Sequence, residues 1–181
     1  MSEMLTKDNA LLVLVDLQVK IAHVMHRQEA LVENTGKLIR GMNILNIPIL
    51  WVEHNPGGLG ETVPEIAKLI QGKPITKLSF SCCGERRFME ALENSKRRQI
   101  VLAGIESHVC IYQTAADLLS SAYEVEVVVD AVSSRTLQNK EIGLQKIKDI
   151  GGTWTSVEAV LFELLKVANG AKFREILNIV K

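Results

Sequence analysis

The sequence predicts a three-layer α/β/α protein built on a mainly parallel, Rossmann-like sheet. Two observations lead to this class. Short runs of aliphatic and β-branched residues alternate with longer segments of helical periodicity along the 181 residues. The first run, residues 10–16, is apolar up to its final aspartate, which is typical of a strand buried on both faces. Such alternation requires right-handed crossovers and produces a parallel sheet covered by helices.

The individual elements follow from local patterns. The predicted strands are residues 10–16, 47–53, 74–78, 99–103, 125–130 and 153–155. The predicted helices, with apolar residues three or four apart, are residues 29–45, 63–70, 85–94, 110–121, 137–150, 157–166 and 171–180. Pro48 is compatible with the start of a strand, where a missing N–H is tolerated. Residues 55–60, rich in glycine, are expected to form a loop. No linker interrupts the pattern, so we expect residues 1–181 to form one domain.

The composition is that of an ordinary globular protein. Hydrophobic residues make up 47% of the chain and charged residues 23%, and 21 basic side chains balance 21 acidic ones. A chain without net charge has no long-range attraction for nucleic acid or anionic lipid, and no apolar run approaches the ~20 residues of a membrane span. We therefore expect neither partner. The odd number of cysteines and the absence of CxxC spacing favour a reduced, cytoplasmic protein.

Three chemically active residues stand at the ends of predicted strands or at the start of a predicted helix. Asp16 ends the first strand, Lys77 lies at the end of the third, and Cys110 opens the helix after the fourth. Taken singly, they could be a helix cap, an exposed lysine and a small core residue. Ligands of parallel sheets bind outside the carboxyl ends of the strands, and this edge would bring all three together.

An Asp–Lys–Cys set at one edge predicts nucleophilic catalysis. A helix N-terminus and the cation of Lys77 would both favour thiolate over thiol at Cys110. Asp16 can accept the thiol proton and return it to a leaving amine. Backbone N–H groups in the turn before Cys110 could bind an oxyanion.

Four motifs resemble those of the isochorismatase-like cysteine hydrolases, the superfamily of nicotinamidase, N-carbamoylsarcosine amidohydrolase and isochorismatase. They are Val15-Asp16-Leu17-Gln18, Lys77-Leu78-Ser79-Phe80, Gly104-Ile105-Glu106-Ser107-His108-Val109-Cys110 with Thr114-Ala115, and Val129-Asp130-Ala131. The chain is most similar to the small isochorismatase-domain-containing subgroup. The resemblance implies the triad Asp16, Lys77 and Cys110, a cis peptide bond between Ile105 and Glu106, and an oxyanion hole formed by the N–H groups of Glu106 and Cys110. It also implies a homo-oligomer, a dimer or larger.

Two departures from the family pattern bear on the reaction. Metal-dependent members carry an Asp-x-His pair and a further histidine after the second strand, whereas this region contains only His54. We therefore expect no metal and no cofactor. Members that act on isochorismate, an enol ether, lack the nucleophilic cysteine, so Cys110 indicates C–N hydrolysis. The expected substrate is a small amide, ureide or similar carbonyl compound, cleaved through an acyl-enzyme.

Gln18, His54 and Phe80 are expected to line the substrate pocket. Gln18 lies just beyond the first strand, His54 follows the second, and Phe80 follows the lysine motif. His108 could form a dyad with Cys110, but it lies in the turn two residues before the thiol, a spacing that rarely lets an imidazole fold back.

The other histidines and cysteines have different expected roles. His23 and His26 belong to residues 19–28, a segment that could cover the site. Cys82 and Cys83 are expected to be non-catalytic, although Cys82 could approach the pocket mouth.

Two other protein classes are alternatives to a hydrolase. A catalytically inert binding or scaffold protein with the same fold and triad remains open. A dinucleotide-binding protein is excluded because Asp16 ends the first strand where a Gly-x-Gly-x-x-Gly turn would begin.

Overall fold

The computed structural model describes residues 4–181, and this part of the chain contains one sheet of six strands. The strands are β1 (Ala10–Val15), β2 (Ile49–His54), β3 (Ile75–Lys77), β4 (Gln99–Ile105), β5 (Glu124–Ser133) and β6 (Thr153–Thr155). Their order is β3-β2-β1-β4-β5-β6, and all neighbouring pairs are parallel. The strand order reverses between β1 and β4, the point where ligands of such sheets bind. The predicted parallel sheet is confirmed.

Helices cover both faces of the sheet. They are α1 (Val19–Ala22), α2 (Gln28–Leu45), α3 (Pro56–Leu59), α4 (Pro64–Ala67), α5 (Arg86–Ser95), α6 (Tyr112–Ser120), α7 (Leu137–Asp149), α8 (Val157–Leu165) and α9 (Gly170–Val180). Apolar side chains of α2, α8 and α9 pack on one face, and those of α5, α6 and α7 on the other. This is the predicted three-layer arrangement. Within residues 4–181, no helix combines the length and apolarity that crossing a bilayer requires.

The central strands β1 and β4 are buried along their whole length. In β1, Leu12 and Leu14 contribute to the core on one face of the sheet, while Leu11 and Val13 contribute to the core on the other. Burying each such side chain contributes roughly 1.5–3 kcal/mol. A strand that packs on both faces has no solvent-facing position for a polar residue, which explains the continuous apolar run in the sequence.

A glycine lets β1 and β4 approach each other closely where they end. Gly104 has a φ angle of +122°, and a Cβ atom at this position would lie 2.1 Å from the carbonyl oxygen of Val15. Any larger residue would therefore push the two strands apart. The close approach places Asp16, which follows β1, beside the turn that follows β4.

The chain after β4 differs from the sequence prediction. The helix predicted to begin at residue 110 begins three residues earlier, as a π turn over Ser107–Ile111 that continues into α6. Cys110 therefore lies inside the first helical turn and not at its first residue. β5 also extends to Ser133, beyond the predicted end at residue 130.

The predicted loop and the segment that could cover the site both contain short helices. Residues 55–60 include α3, in which Pro56 occupies the first turn, where its missing N–H costs no hydrogen bond. Residues 19–28 include α1. Conversely, the helix predicted over residues 63–70 is confined to α4. These one-turn helices are too short for periodicity to predict them.

Candidate functional site

The three residues of the predicted triad meet at the carboxyl edge of the sheet. Asp16 directly follows β1, Lys77 is the last residue of β3, and Cys110 lies in the π turn after β4. Asp16 and Cys110 line a cavity of about 270 Å³. Because β2 separates β3 from β1, the lysine side chain crosses the end of β2 to reach the aspartate.

Lys77 is fully occupied by hydrogen bonds inside the protein. Its Nζ atom donates to Asp16 Oδ2 at 2.8 Å, to the Ser79 carbonyl at 3.1 Å and to the Phe80 carbonyl at 3.0 Å. An ammonium group has three N–H donors, so none remains unpaired. The side chains of Lys77 and Asp16 are 0% and 4% exposed. Such a buried pair is rigid, and removing one partner typically costs about 3–5 kcal/mol.

Asp16 adopts a backbone conformation that orients its carboxylate at this edge. Its φ angle is +55°, a left-handed conformation that aspartate tolerates better than most residues. The Asp16 N–H donates to the Val52 carbonyl at 3.0 Å, which fixes the residue against β2. Burial raises the pKa of the carboxyl group, and the charge and hydrogen bond of Lys77 oppose this rise.

The second carboxylate oxygen of Asp16 is available to the thiol of Cys110. Oδ1 is buried and has no well-aligned donor among the described residues. A side-chain hydrogen bond between Asp16 and Cys110 nevertheless contributes to the pKa of both groups. We regard it as a long, poorly aligned contact, because catalytic hydrogen bonds often shorten only when substrate binds.

The environment of Cys110 raises the pKa of its thiol, whereas the sequence predicts a favoured thiolate. Burial raises its pKa most, the negative charge of Asp16 raises it further, and Lys77 only partly opposes these effects. Sequence reasoning considered the helix terminus and the lysine cation but could not weigh the desolvation of the thiol.

The π turn that carries Cys110 is held by α7 and by Ser134, the residue that follows β5. Its wide hydrogen bond runs from the Ile111 N–H to the Glu106 carbonyl at 3.2 Å. The Ser107 hydroxyl lies 2.7 Å from the buried Ser134 hydroxyl. A Cβ atom on Gly143 of α7 would lie 2.4 Å from the Ser107 backbone, so α7 touches the turn directly. Turns of this type occur frequently at functional sites.

Glu106 lines the cavity next to Cys110 and is paired with an arginine. The Ile105–Glu106 peptide bond is cis. Glu106 Oε2 accepts hydrogen bonds from the Arg135 backbone N–H at 3.0 Å and from Arg135 Nε at 3.2 Å. The glutamate side chain is 9% exposed and the arginine side chain 61% exposed, so the negative partner of this ion pair is the buried one.

The remaining walls of the cavity are mostly apolar and aromatic. His54 and Phe80, both predicted pocket residues, line the cavity and stack with ring centroids 5.7 Å apart and an interplanar angle of 13°. The ring of His54 is also held by its Nδ1 atom, 3.3 Å from the Ser79 carbonyl. Their contact with substrate stays a prediction.

Gln18 supports the cavity wall from within the protein. It is 0% exposed, and its Nε2 atom donates to the His54 carbonyl at 3.0 Å and the Gly60 carbonyl at 2.6 Å. Its Oε1 atom accepts from the His54 N–H at 2.7 Å. The amide therefore joins both ends of the segment that carries α3. With its polar atoms used in this way, Gln18 positions the wall and is not itself among the lining residues, and its contact with substrate stays a prediction.

Among the described residues, the other three histidines do not line the cavity. His108 Nδ1 is hydrogen-bonded to the Ser134 hydroxyl at 3.0 Å. His23 Nδ1 lies 2.6 Å from the Val19 carbonyl, and the His26 N–H donates to the Ser134 carbonyl at 2.8 Å. Of the segment predicted to cover the site, Ile21 is the residue that lines the cavity.

The two adjacent cysteines are buried or half-buried thiols. The Cys82 N–H donates to the Thr114 hydroxyl at 3.0 Å. Burial raises the pKa of Cys82 to about 12 and that of Cys83 to about 11. Both groups are protonated at neutral pH, as expected of thiols without a catalytic role.

Sequence reasoning missed several residues that line the cavity. The additional lining residues are Ile21, Asn55, Leu59 and Val109, and Ile105, expected only as part of the cis peptide bond, also lines the cavity. Most of them are direct neighbours of predicted site residues or lie just beyond β2, so their proximity to strand ends could have identified them. Arg135, the partner of Glu106, gave no local signal because its importance depends on a contact 29 residues away in sequence.

The described part of the chain shows no grouping of three or more His, Cys, Asp or Glu side chains suited to a metal ion. The protein is therefore an open parallel α/β protein. Its ligand-sized cavity lies at the carboxyl edge of the sheet, where the strand order reverses.

Comparisons with known proteins identify the family. The isochorismatase domain model matches residues 10–159. Isochorismatase domain-containing protein 2 from Danio rerio is 36% identical over 173 residues, which cover 95% of this chain and 87% of that protein. The MAR1 ribonuclease from Caenorhabditis elegans is 33% identical with a TM-score of 0.92, and the match covers 98% of this chain and 92% of that one.

A more distant structure shares the fold. YcaC from Escherichia coli, an octameric hydrolase of unknown specificity, has a TM-score of 0.93 at 19% identity and covers 99% of this chain and 91% of its own. The chain belongs to the isochorismatase family, which confirms the resemblance seen in its motifs, and it has the hydrolase fold of that family.

Proposed function

We propose that this chain is a cysteine hydrolase that cleaves the C–N bond of a small amide, ureide or similar carbonyl compound through a thioester on Cys110. One observation carries the proposal: Cys110 and Asp16 line one cavity, while Lys77 holds Oδ2 of the aspartate at 2.8 Å. This arrangement leaves Oδ1 of Asp16 as the base for the thiol. Membership of a family with a hydrolase fold supports the assignment.

In the first step, the Cys110 sulfur attacks the substrate carbonyl carbon as its proton passes to Asp16 Oδ1. Because burial and the charge of Asp16 raise the pKa of Cys110, we place the proton transfer together with the attack and not before it. The C=O bond becomes an oxyanion, which we assign to the backbone N–H groups of Glu106 and Cys110. Lys77 keeps the carboxylate oriented through the transfer.

In the second step, the tetrahedral intermediate collapses. The C–N bond breaks, and the leaving nitrogen takes the proton that Asp16 Oδ1 received from the thiol. Ammonia or an amine departs, and the acyl group stays on the Cys110 sulfur as a thioester. Asp16 is again a carboxylate paired with Lys77.

In the third step, water enters the position that the amine has left. Asp16 removes a proton from the water as its oxygen attacks the thioester carbon. The C–S bond then breaks, and the proton returns from Asp16 to the sulfur. The carboxylic or carbamic acid product leaves, and the thiol is restored.

The proposal includes no metal or cofactor in these steps. We further propose that the chain acts as one domain, assembles as a homo-oligomer and functions in the cytoplasm. Nucleic acid and membrane are not proposed partners.

The ribonuclease activity named for the C. elegans relative is less well supported by this cavity. Among the described residues that line it, none is a lysine or an arginine that could bind a phosphate. The surviving alternative is an inert binding or scaffold protein, which would retain the cavity without turnover.

Ammonia release from a panel of small amides, ureides and carbamoyl compounds tests the proposal. We expect at least one substrate, a loss of about a thousandfold or more in Cys110→Ala, and little change in Cys83→Ala, the matched control on a half-buried thiol. Wild-type rates in Cys110→Ala would rule out the mechanism. A thiol at Cys110 that resists iodoacetamide, with no turnover across the panel, would favour the inert alternative.

A further inference from the structure

We infer that Glu106 makes this cavity select uncharged carbonyl compounds with a compact apolar body and reject compounds that carry a carboxylate or phosphate. The inference rests on the proposed function in taking Cys110 as the attacking group. It concerns the substrate class of the same site.

The geometry of the Glu106–Arg135 pair supports this electrostatic role. Glu106 lines the cavity with a side chain that is 9% exposed, whereas the Arg135 side chain is 61% exposed. Both hydrogen bonds from Arg135 end on Oε2 of the glutamate, and among residues 4–181 no partner is found for Oε1. Water screens the arginine charge more strongly than the glutamate charge. The field inside the cavity is therefore that of the carboxylate.

The other charged groups at the cavity do not offset this field. Asp16 is the second carboxylate of the lining, and its charge is already balanced by Lys77, whose three donors are all used within the protein. In the described lining, lysine and arginine are absent. An anionic substrate would thus enter beside Glu106 without a cation to bind it.

The shape and lining favour a small apolar body. Ile21, Leu59, Ile105 and Val109 supply aliphatic walls, and the stacked rings of His54 and Phe80 form another wall. A cavity of about 270 Å³ admits a compact molecule only. Apolar contacts together with one negative group favour neutral amides or ureides, whose N–H groups can approach a carboxylate.

A pair of alkylating agents separates this inference from the proposed turnover. Iodoacetamide and iodoacetate are nearly the same size and react with the same thiolate, but only iodoacetate carries a negative charge. The fraction of Cys110 that is ionised affects both rates equally, so it cancels in their ratio. Rates would be followed by mass spectrometry on the tryptic peptide that contains Cys110 and neither other cysteine, which is residues 99–135, or residues 99–140 in Arg135→Gln. A pH of 8.5 keeps imidazole groups uncharged.

The ratio of the iodoacetamide rate to the iodoacetate rate should be on the order of tenfold higher for Cys110 of the wild-type protein than for a free thiol such as N-acetylcysteine. Glu106→Gln preserves the shape and the acceptor for Arg135, and it should bring the ratio within about twofold of the free thiol. Arg135→Gln removes the compensating cation and should raise the ratio. The exposed pair Arg86–Glu90 provides matched controls, Arg86→Gln and Glu90→Gln, which should leave the ratio unchanged.

A wild-type ratio equal to that of the free thiol would overturn the inference, and so would a ratio that Glu106→Gln does not change. If Glu106→Gln fails to fold, a ratio unaffected by Arg135→Gln would count against it in the same way. Alkylation needs no turnover. Failure of the proposed function would appear as ammonia release that survives in Cys110→Ala. That result does not depend on the alkylation ratios.

Discussion

The ammonium nitrogen of Lys77 lies 2.8 Å from Oδ2 of Asp16, at a site where both side chains are shielded from water. Burial alone would neutralise the carboxylate, because desolvation disfavours its charged form. The lysine opposes that effect through charge and a hydrogen bond. The pKa of Asp16 is therefore lower than burial alone would make it, and among the described residues its Oδ1 atom has no well-aligned hydrogen-bond donor. In the proposed mechanism, the role of Lys77 is to keep Asp16 available as the base.

Lys77→Met should shift the acid limb of the kcat/KM profile to higher pH. Activity needs ionised Asp16, and without the cation the pKa of this carboxyl rises further above its usual value, so a higher pH is needed to ionise it. The free energy of unfolding should also fall by about 3–5 kcal/mol, as for other buried pairs that lose one partner. Kinetics across pH and urea denaturation measure the two effects.

Lys37→Met is the control for this variant. Lys37 pairs with the exposed Glu33 at 3.0 Å on α2, and its loss should cost at most about 1 kcal/mol and leave the pH profile unchanged. An acid limb that stays in place in Lys77→Met would contradict the assigned role of the lysine.

Asp16→Asn should have opposite effects on turnover and on alkylation. Turnover should fall by about 10²–10⁴-fold because the base is lost. The negative charge of Asp16 raises the pKa of Cys110, so its removal lowers that pKa and increases the thiolate fraction at neutral pH. Iodoacetamide should therefore label Cys110 faster in the variant at pH 7.5. Slower labelling, with a circular dichroism spectrum like that of the wild type, would refute this account of the thiol pKa.

Gly143→Ala should disturb the π turn, although residue 143 is far from Cys110 in sequence. The new Cβ atom would lie 2.4 Å from the Ser107 backbone, where no flexible side chain can yield. We expect a loss of about 1–3 kcal/mol in stability together with reduced kcat, because Cys110 lies on the displaced turn. The control Gly36→Ala places its Cβ 3.4 Å from the mobile end of Arg40 and should be neutral or slightly stabilising. Equal behaviour of the two variants would argue against the close contact.

Glu126→Gln should stabilise the protein at pH 8 and have little effect at pH 4. Burial, followed by the charges of Glu163 and Glu124, raises the pKa of Glu126 from 4.5 to about 7. The folded state therefore holds this proton more tightly than the unfolded state. Its stabilising contribution is complete below pH 4.5 and is lost as the pH rises through about 7.

The expected gain from Glu126→Gln at pH 8 is about 1–2 kcal/mol, since the group is only partly buried and solvent screens its charge. Urea denaturation at the two pH values measures it. The exposed Glu141→Gln serves as the control and should show no such pH dependence. A gain of the same size at pH 4 and pH 8 would disprove the linkage.

The sheet and the triad positions could be predicted because both depend on local rules. β1 is buried on both faces, which requires an uninterrupted apolar run, and Asp16 is the first polar residue after it. Since the carboxyl ends of parallel strands share one edge, Asp16, Lys77 and Cys110 had to lie near each other once the strands were identified.

The remaining features depend on contacts between distant parts of the chain. Gln18 hydrogen-bonds to residues 36 and 42 positions away, so its support of the cavity wall has no local pattern. The same is true of Arg135 and Glu106. The sequence predicts a lowered pKa for Cys110, whereas the fold raises it. Burial, a property of the whole fold, outweighs the effect of the helix terminus.

The acyl-enzyme tests the central claim most directly. The wild-type protein is mixed with an amide that it hydrolyses and is quenched in acid within milliseconds. Its mass should then increase by that of the acyl group. That mass should lie on the peptide of residues 99–135 and be absent in Cys110→Ala. An acyl group found on another residue, or rapid turnover with no adduct at any quench time and undiminished rates in Cys110→Ala, would contradict the thioester mechanism.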